Sequence, residues 1–232
     1  MISPNFDERP APPDMIVLHY TEIDEAASRS WLCNPASRVS CHYLLREDGG
    51  WEVLVPEDKR AWHAGVSGWE GVGAINNRSI GIEIVNAGHR PAPTPFPKVQ
   101  IDSVIALIAD IRSRWRIHRA QVVGHSDVAP GRKIDPGEAF PWDTLAAAGE
   151  AIHVPPATTK TAFNVTEFQD AARAAGYWTD PIDGKQPELG ALIDATQRRH
   201  TPAYFGTAPT GALTETLKRF AAARATDLSE PL

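Results

Sequence analysis

Residues Met15–Tyr20 read MIVLHY, an apolar run with β-branched residues that ends at a histidine and a tyrosine. Short runs of this kind are typical of strands inside a sheet. A second run, SIGIEIVN at residues 79–86, holds one acidic residue, Glu83, among aliphatic neighbours. Both patterns predict buried strands, and these strands decide the fold class.

Further elements surround the two strands. Residues 42–45 and 51–55 flank the turn signal Asp-Gly-Gly, which predicts a hairpin. Over Lys98–Trp115 the apolar residues recur at helical spacing, which predicts an amphipathic helix. Residues 121–123 are expected to form a short strand. Strands mixed with covering helices predict an α/β domain with a mixed central β-sheet flanked by helices.

The composition changes after residue 152, which predicts a second domain. Residues 153–161 include the polar, proline-paired stretch HVPPATTK and are expected to be a linker. Residues 162–232 are expected to form a small all-α, three-helix C-terminal domain. Its helices are predicted at residues 166–175, with Thr166 as the N-cap, and at residues 187–200 and 211–223. Residues 1–152 would then form the catalytic domain.

Bulk properties narrow the class of protein. The chain has 232 residues, 42% of them hydrophobic and 22% charged, which is ordinary for a globular protein. A formal net charge of −6 argues against a general nucleic-acid binder. No apolar run is long enough for a transmembrane segment. The first residues resemble no secretory signal, which predicts a cytoplasmic protein, or a periplasmic or envelope protein if a leader was removed.

The loop GHSDVAPGRKIDPG, residues 124–137, holds the residues with the clearest chemistry. Its prolines and glycines predict a turn-rich connection that brings His125, Lys133 and Asp135 around one point. With His19 added, two imidazoles and one carboxylate form a familiar ligand set for catalytic zinc. The fourth position would hold water, whose pKa zinc lowers to about 7. We therefore expect one Zn²⁺ ion per chain.

Each of these residues also fits a structural role. His19 alone could be a core or surface histidine held by a backbone carbonyl. Asp135 precedes Pro-Gly and could cap a turn, with His125 serving only the local structure. A structural zinc site is a further alternative, but such sites normally use four protein ligands and are rich in cysteine.

Auxiliary residues for catalysis can also be chosen from the sequence. Glu83 lies in an apolar strand, so its carboxylate is expected to face a cation or a metal-bound water and to act as the proton carrier. Lys133 could stabilise a developing oxyanion, although most lysines are solvated surface cations. Arg132 and His63, the latter in the segment AWHAG, are candidates for binding substrate.

Five segments together resemble a known family: VLHYTE, VSCHYLLREDGG, AWHAG, SIGIEIVN and GHSDVAPGRKIDPG. They cover most of residues 1–150 and are similar to zinc-dependent N-acetylmuramoyl-L-alanine amidases of the amidase-2 class. That class is related to peptidoglycan recognition proteins. The resemblance implies zinc ligands at His19, His125 and Asp135. It also implies a water-activating role for Glu83 and transition-state support from Lys133.

The C-terminal residues are similar to a three-helix peptidoglycan-binding domain. The segments that carry this similarity are EFQDAARAAGY, ALIDATQRRH and TGALTETLKRF. The usual Phe-Gln pair of the second helix is replaced by Thr196 and Gln197. A packing role against the catalytic domain is therefore an alternative to wall binding.

The resemblance implies a hydrolase that cleaves the amide between N-acetylmuramic acid and L-alanine, in peptidoglycan fragments or anhydromuropeptides. Both a cytoplasmic recycling enzyme and a two-domain envelope enzyme fit the catalytic residues. The alternative from another class is a non-catalytic peptidoglycan-binding protein. Such a protein would not need an intact zinc set, whereas here every implied ligand is present.

Overall fold

A computed structural model describes residues 2–89 and 91–232. The strands are β1 (Phe6–Glu8), β2 (Met15–Tyr20), β3 (Tyr43–Leu45), β4 (Trp51–Val53), β5 (Lys59–Ala61), β6 (Gly68–Trp69), β7 (Val72–Gly73), β8 (Ser79–Ile84) and β9 (Val122–Gly124). The α-helices are α1 (Glu25–Leu32), α2 (Lys98–Trp115), α3 (His125–Val128), α4 (Trp142–Ala147), α5 (Val165–Ala174), α6 (Leu189–His200) and α7 (Gly211–Ser229).

The central sheet has five strands in the order β4-β3-β8-β2-β9. β3 pairs antiparallel with β4, as the predicted hairpin requires, whereas β3, β8, β2 and β9 run parallel to one another. The prediction of a mixed α/β sheet is therefore confirmed. Because these four strands run in the same direction, their carboxyl ends lie at the same end of the sheet, where ligands commonly bind in such sheets.

The two faces of the sheet carry different cores because side chains alternate along each strand. On one face, Ile16 and Leu18 of β2 and the isoleucines of β8 pack against α2, whose bounds match the predicted helix. On the other face, Met15 and Val17 belong to a hydrophobic cluster that includes Phe168, Leu217 and Phe220 of the C-terminal helices. The sheet is thus covered on both sides.

The C-terminal helices differ in detail from the sequence prediction. α5 begins at Val165, and its N-cap is Asn164, whose side chain accepts a hydrogen bond from the Glu167 N–H. Thr166 therefore lies inside the helix, and its prediction as the N-cap is wrong. α7 continues to Ser229, beyond the predicted end at residue 223, because Leu217 and Phe220 anchor it in the shared cluster while buried Asp227 extends the contact.

A buried ion pair joins the C-terminal helices to α3. Asp127 of α3 accepts hydrogen bonds from the Arg199 guanidinium at 2.8 Å and from the Tyr177 hydroxyl at 3.0 Å. The Arg199 guanidinium lies 3.6 Å from the ring centroid of Trp142. Both charged side chains are almost fully buried, so each compensates the desolvation of the other.

Residues 153–161 contain no helix or strand. Ala157 in this segment is buried, and its N–H donates a hydrogen bond to Thr216 of α7.

Within residues 2–89 and 91–232, no helix combines the length and apolar character needed to cross a bilayer.

We expect Arg199→Ala to lower the free energy of unfolding by about 3–5 kcal/mol, because it leaves the Asp127 carboxylate buried without its cation. Urea denaturation measures this change. Arg219→Ala is the control, because Arg219 pairs with Glu215 on the exposed side of α7 and should change stability by less than about 0.5 kcal/mol. Equal effects of the two variants would contradict the assignment.

Candidate metal centre

The register of the parallel strands places three candidate residues at one edge of the sheet. His19 of β2 lies directly opposite Glu83 of β8, and Leu18 lies opposite Gly124, the last residue of β9. His125 follows Gly124 directly as the first residue of α3. His19 and Glu83 therefore share the face that points away from α2, and His125 lies beside them.

The ligand atoms of the predicted zinc set converge. The Nδ1 atoms of His19 and His125 lie 2.8 Å apart, and each lies 3.0 Å from Oδ2 of Asp135. All three residues are buried, and together they form a group that could hold a metal ion. Two imidazole nitrogens and one carboxylate oxygen are a donor set that suits zinc and leaves a position for another ligand.

The loop that carries Asp135 is held against α3 by its own backbone. The Ser126 N–H donates a 2.8 Å hydrogen bond to the Asp135 carbonyl, which fixes the loop beside His125. Gly124 allows this close approach, because a Cβ at that position would lie 2.6 Å from Pro136 Cδ. The glycines and prolines of residues 124–137 thus shape the turn that the sequence predicted.

The local electrostatics favour the metal-binding forms of the side chains. Burial, and next the neighbouring His125 ring, lower the pKa of His19 to about 4, so its imidazole is neutral at neutral pH. Burial alone would raise the pKa of Asp135, but the His125 and His19 rings lower it below its usual range. A neutral imidazole and an ionised carboxylate are the forms that ligate metals.

Glu83, Lys133 and Asp135 line a cleft of about 430 Å³ next to the three ligand atoms. Oε2 of Glu83 is buried and has no hydrogen-bond partner among the residues that the structure describes. Burial, and next the charge of Asp135, raise the pKa of Glu83 well above its ordinary value. A carboxyl group in this setting is suited to exchanging a proton with a bound molecule. Lys133 is exposed on the loop and so can reach a ligand in the cleft.

Of the two residues predicted to bind substrate, one lines the cleft and the other lies behind a candidate ligand. Arg132 lines the cleft, and its guanidinium also donates to the backbone carbonyls of Ala64 and Val66. His63 is buried behind His19, with its Nδ1 3.0 Å from His19 Nε2. The His63 ring lies over Gly81, where a Cβ would come within 2.5 Å of it.

The cleft also has an apolar rim that the sequence patterns did not predict. Trp31, Ile23 and Ile134 line it and are exposed. Trp31 lies on α1, a short helix whose N-cap Asp24 accepts a hydrogen bond from the Ala27 N–H. An aspartate followed by Glu-Ala-Ala is a helix-start signal, so this feature could have revealed α1.

Comparison with known families defines the class of protein. A family profile described as N-acetylmuramoyl-L-alanine amidase matches residues 9–138, more than half of the chain, and the chain belongs to this family. The matched range includes the three candidate ligands together with Glu83 and Lys133.

Two relatives in this family are similar to the chain in sequence. It is 42% identical to N-acetylmuramoyl-L-alanine amidase AmiD of Escherichia coli (strain K12) over 148 residues, 58% of this chain. It is 40% identical to 1,6-anhydro-N-acetylmuramyl-L-alanine amidase AmpD of Enterobacter cloacae over 109 residues, 47% of this chain. The chain spans about half the length of these relatives, 52% and 56% respectively.

Solved structures extend the similarity to nearly the whole fold. A complex of E. coli AmiD with the substrate anhydro-N-acetylmuramic acid-L-Ala-D-gamma-Glu-L-Lys matches with a TM-score of 0.81 and 29% identity, covering 94% of this chain and 91% of that one. AmpDh3 from Pseudomonas aeruginosa matches with a TM-score of 0.77 and 29% identity, covering 92% of each chain. These matches include the C-terminal helices as well as the sheet.

We expect Gly81→Ala to reduce the free energy of unfolding by about 1–3 kcal/mol, because the new methyl group overlaps the buried His63 ring. Gly190→Ala is the control, because nothing lies within 4 Å of its Cβ position in α6. It should leave stability unchanged or raise it by less than about 1 kcal/mol. Thermal or urea unfolding compares the two, and a harmless Gly81→Ala would refute this packing.

Proposed function

We propose that the chain is a zinc-dependent amidase that cleaves the bond between N-acetylmuramic acid and the L-alanine of a stem peptide. One observation carries this proposal: three buried ligand atoms converge beside a carboxylate oxygen that lacks a hydrogen-bond partner among the described residues. Family membership supports the same reaction.

In this proposal, His19, His125 and Asp135 hold the ion. Bound zinc would supply a Lewis acid that polarises the scissile carbonyl and makes water a stronger nucleophile at neutral pH. These three residues would hold the ion next to the cleft, because their side chains are buried and have little freedom to rotate. The cleft walls then position the amide over the site.

Glu83 and Lys133 would carry the proton and charge transfers. Glu83 accepts a proton from the attacking water and delivers it to the leaving nitrogen, which leaves as an amine. A raised pKa makes the ionised Glu83 carboxylate a stronger base toward this water, and it lets the protonated form persist until it donates. The Lys133 ammonium stabilises the negative charge that develops on the carbonyl oxygen.

We propose that the substrates include anhydromuropeptides. The AmpD relative is named for a 1,6-anhydro sugar, and the AmiD structure contains an anhydromuramoyl peptide. The cleft of this chain combines the cations Arg132 and Lys133 with the apolar rim of Trp31, Ile23 and Ile134. Such a mixed lining fits a ligand with a sugar ring, short aliphatic side chains and free carboxylates.

We further propose that residues 1–152 are the catalytic domain, 153–161 the linker and 162–232 a peptidoglycan-binding-like domain. The hydrophobic cluster shared by both parts and the Asp127–Arg199 pair support a packing role for the C-terminal part. A cytoplasmic location stays a prediction from the sequence, and cell fractionation would test it.

A non-catalytic peptidoglycan-binding protein is the competing function. Such a protein would share the cleft, but it would not need a buried carboxylate oxygen that lacks a hydrogen-bond partner among the described residues. Product formation, not ligand binding, distinguishes the two functions.

We expect one zinc ion per chain, and loss of muropeptide cleavage when a chelator removes it. Adding zinc back should restore cleavage. Asp135→Ala should abolish stoichiometric zinc binding because it removes a charged ligand, whereas Asp143→Ala, at an exposed aspartate, should not. Elemental analysis and a cleavage assay measure both effects. Full activity after complete metal removal would rule out the proposed function.

We expect Glu83→Gln to lower turnover by about 10²-fold or more, because the amide cannot take up the proton. Zinc content should stay at one ion per chain, since Glu83 is not among the proposed ligands. Glu47→Gln, at an exposed glutamate, is the matched control and should leave turnover unchanged. Undiminished turnover in Glu83→Gln would exclude Glu83 from the mechanism.

A further inference from the structure

The segment His63-Ala64 contacts both histidines of the candidate metal centre from behind. Nε2 of His19 lies 3.0 Å from His63 Nδ1, and Nε2 of His125 lies 3.1 Å from the Ala64 carbonyl oxygen. The backbone N–H groups of His63 and Ala64 both donate to Asn76 Oδ1, at 3.1 and 2.7 Å. Two consecutive residues, held in place by one asparagine, thus contact the Nε2 side of both rings, opposite the Nδ1 atoms that would bind the metal.

The hydrogen bonds around His63 can run in only one direction if His19 binds metal through Nδ1. The proton of His19 must then lie on Nε2, which donates to His63 Nδ1. His63 carries its own proton on Nε2 and donates it to Ser79 Oγ at 3.1 Å. The Ser79 hydroxyl donates to the Ile75 carbonyl oxygen at 2.7 Å, where the series ends.

Every donor in this series has an acceptor, and every residue in it is buried. Of the two nitrogens of the His19 ring, the series leaves Nδ1 for a ligand on the cleft side. It also fixes the rotation of the ring. Gly81 provides the space that the His63 ring occupies, so the strand sequence accommodates this contact.

We infer that His63 is a positioning residue of the metal centre: it accepts the Nε2–H of His19 and thereby fixes the tautomer and orientation of this ligand. This inference rests on the proposed function, because it concerns how the proposed zinc ligand is held. It assigns His63 a role through His19 rather than a contact with substrate. Outer hydrogen bonds of this kind commonly change metal affinity by 10–100-fold.

Zinc affinity, measured by competition with a chromophoric chelator, tests the inference. His63→Leu removes the acceptor and should weaken zinc binding by about 10–100-fold. His63→Asn places an amide oxygen near the former Nδ1 position and should retain most of the affinity. His42→Leu is the control, because His42 is an equally buried ring whose centroid lies 5.7 Å from that of His63, but it accepts from the Gly81 N–H.

Unchanged zinc affinity in His63→Leu, or an equal loss in His42→Leu, would overturn the inference. A second measurement needs no variant: nitrogen-15 NMR of the zinc-loaded chain should show His63 protonated at Nε2. Protonation at Nδ1 would overturn it as well. Failure of the unsubstituted chain to bind zinc would overturn both the proposed function and this inference. Normal zinc binding that does not depend on position 63 would overturn the inference alone.

Discussion

The close approach of three ligand atoms from distant parts of the chain is the constraint on which the rest of the site depends. Nδ1 of His19 and of His125 and Oδ2 of Asp135 lie within 3.0 Å of one another, and all three residues are buried. Polar groups brought together in this way lose their hydration and must be compensated by one another or by a cation. The parallel pairing of β2 with β9 brings the two histidines together, and the Asp135 loop completes the set.

Support for this arrangement comes from two directions. On the inner side, His63 and Ala64 occupy the far nitrogens of both rings, and Asn76 fixes that segment. On the outer side, Asp127 lies two residues after His125 on α3 and is paired with Arg199 of the C-terminal helices. The helical part of the chain therefore contacts the same short turn that carries a candidate ligand. Contacts of this kind, made to the candidate ligands and to the residues next to them, keep the ligand side chains within a narrow range of geometry.

The features that the sequence predicted well are those with a repeating pattern or a dense local signal. A short apolar run correctly predicted β2, helical spacing correctly predicted α2, and the turn-rich loop correctly predicted a close approach of His125 to Asp135. The sequence did not predict α1, which is a single short helix with a mixed surface. It also did not predict that His63 lies behind His19, because that contact joins residues 44 positions apart and depends on the space above Gly81.

The alternation of side chains in β8 has a consequence for how this chain can vary in length. Ser79, Gly81 and Glu83 point to the site, and the isoleucines between them point to α2. Deleting one residue within the strand would exchange the two faces for the residues beyond the deletion. A carboxylate would then point into the apolar core, and a bulky aliphatic side chain would point into the cleft. Substitutions in β8 can act locally, whereas insertions and deletions can be tolerated only in the loops.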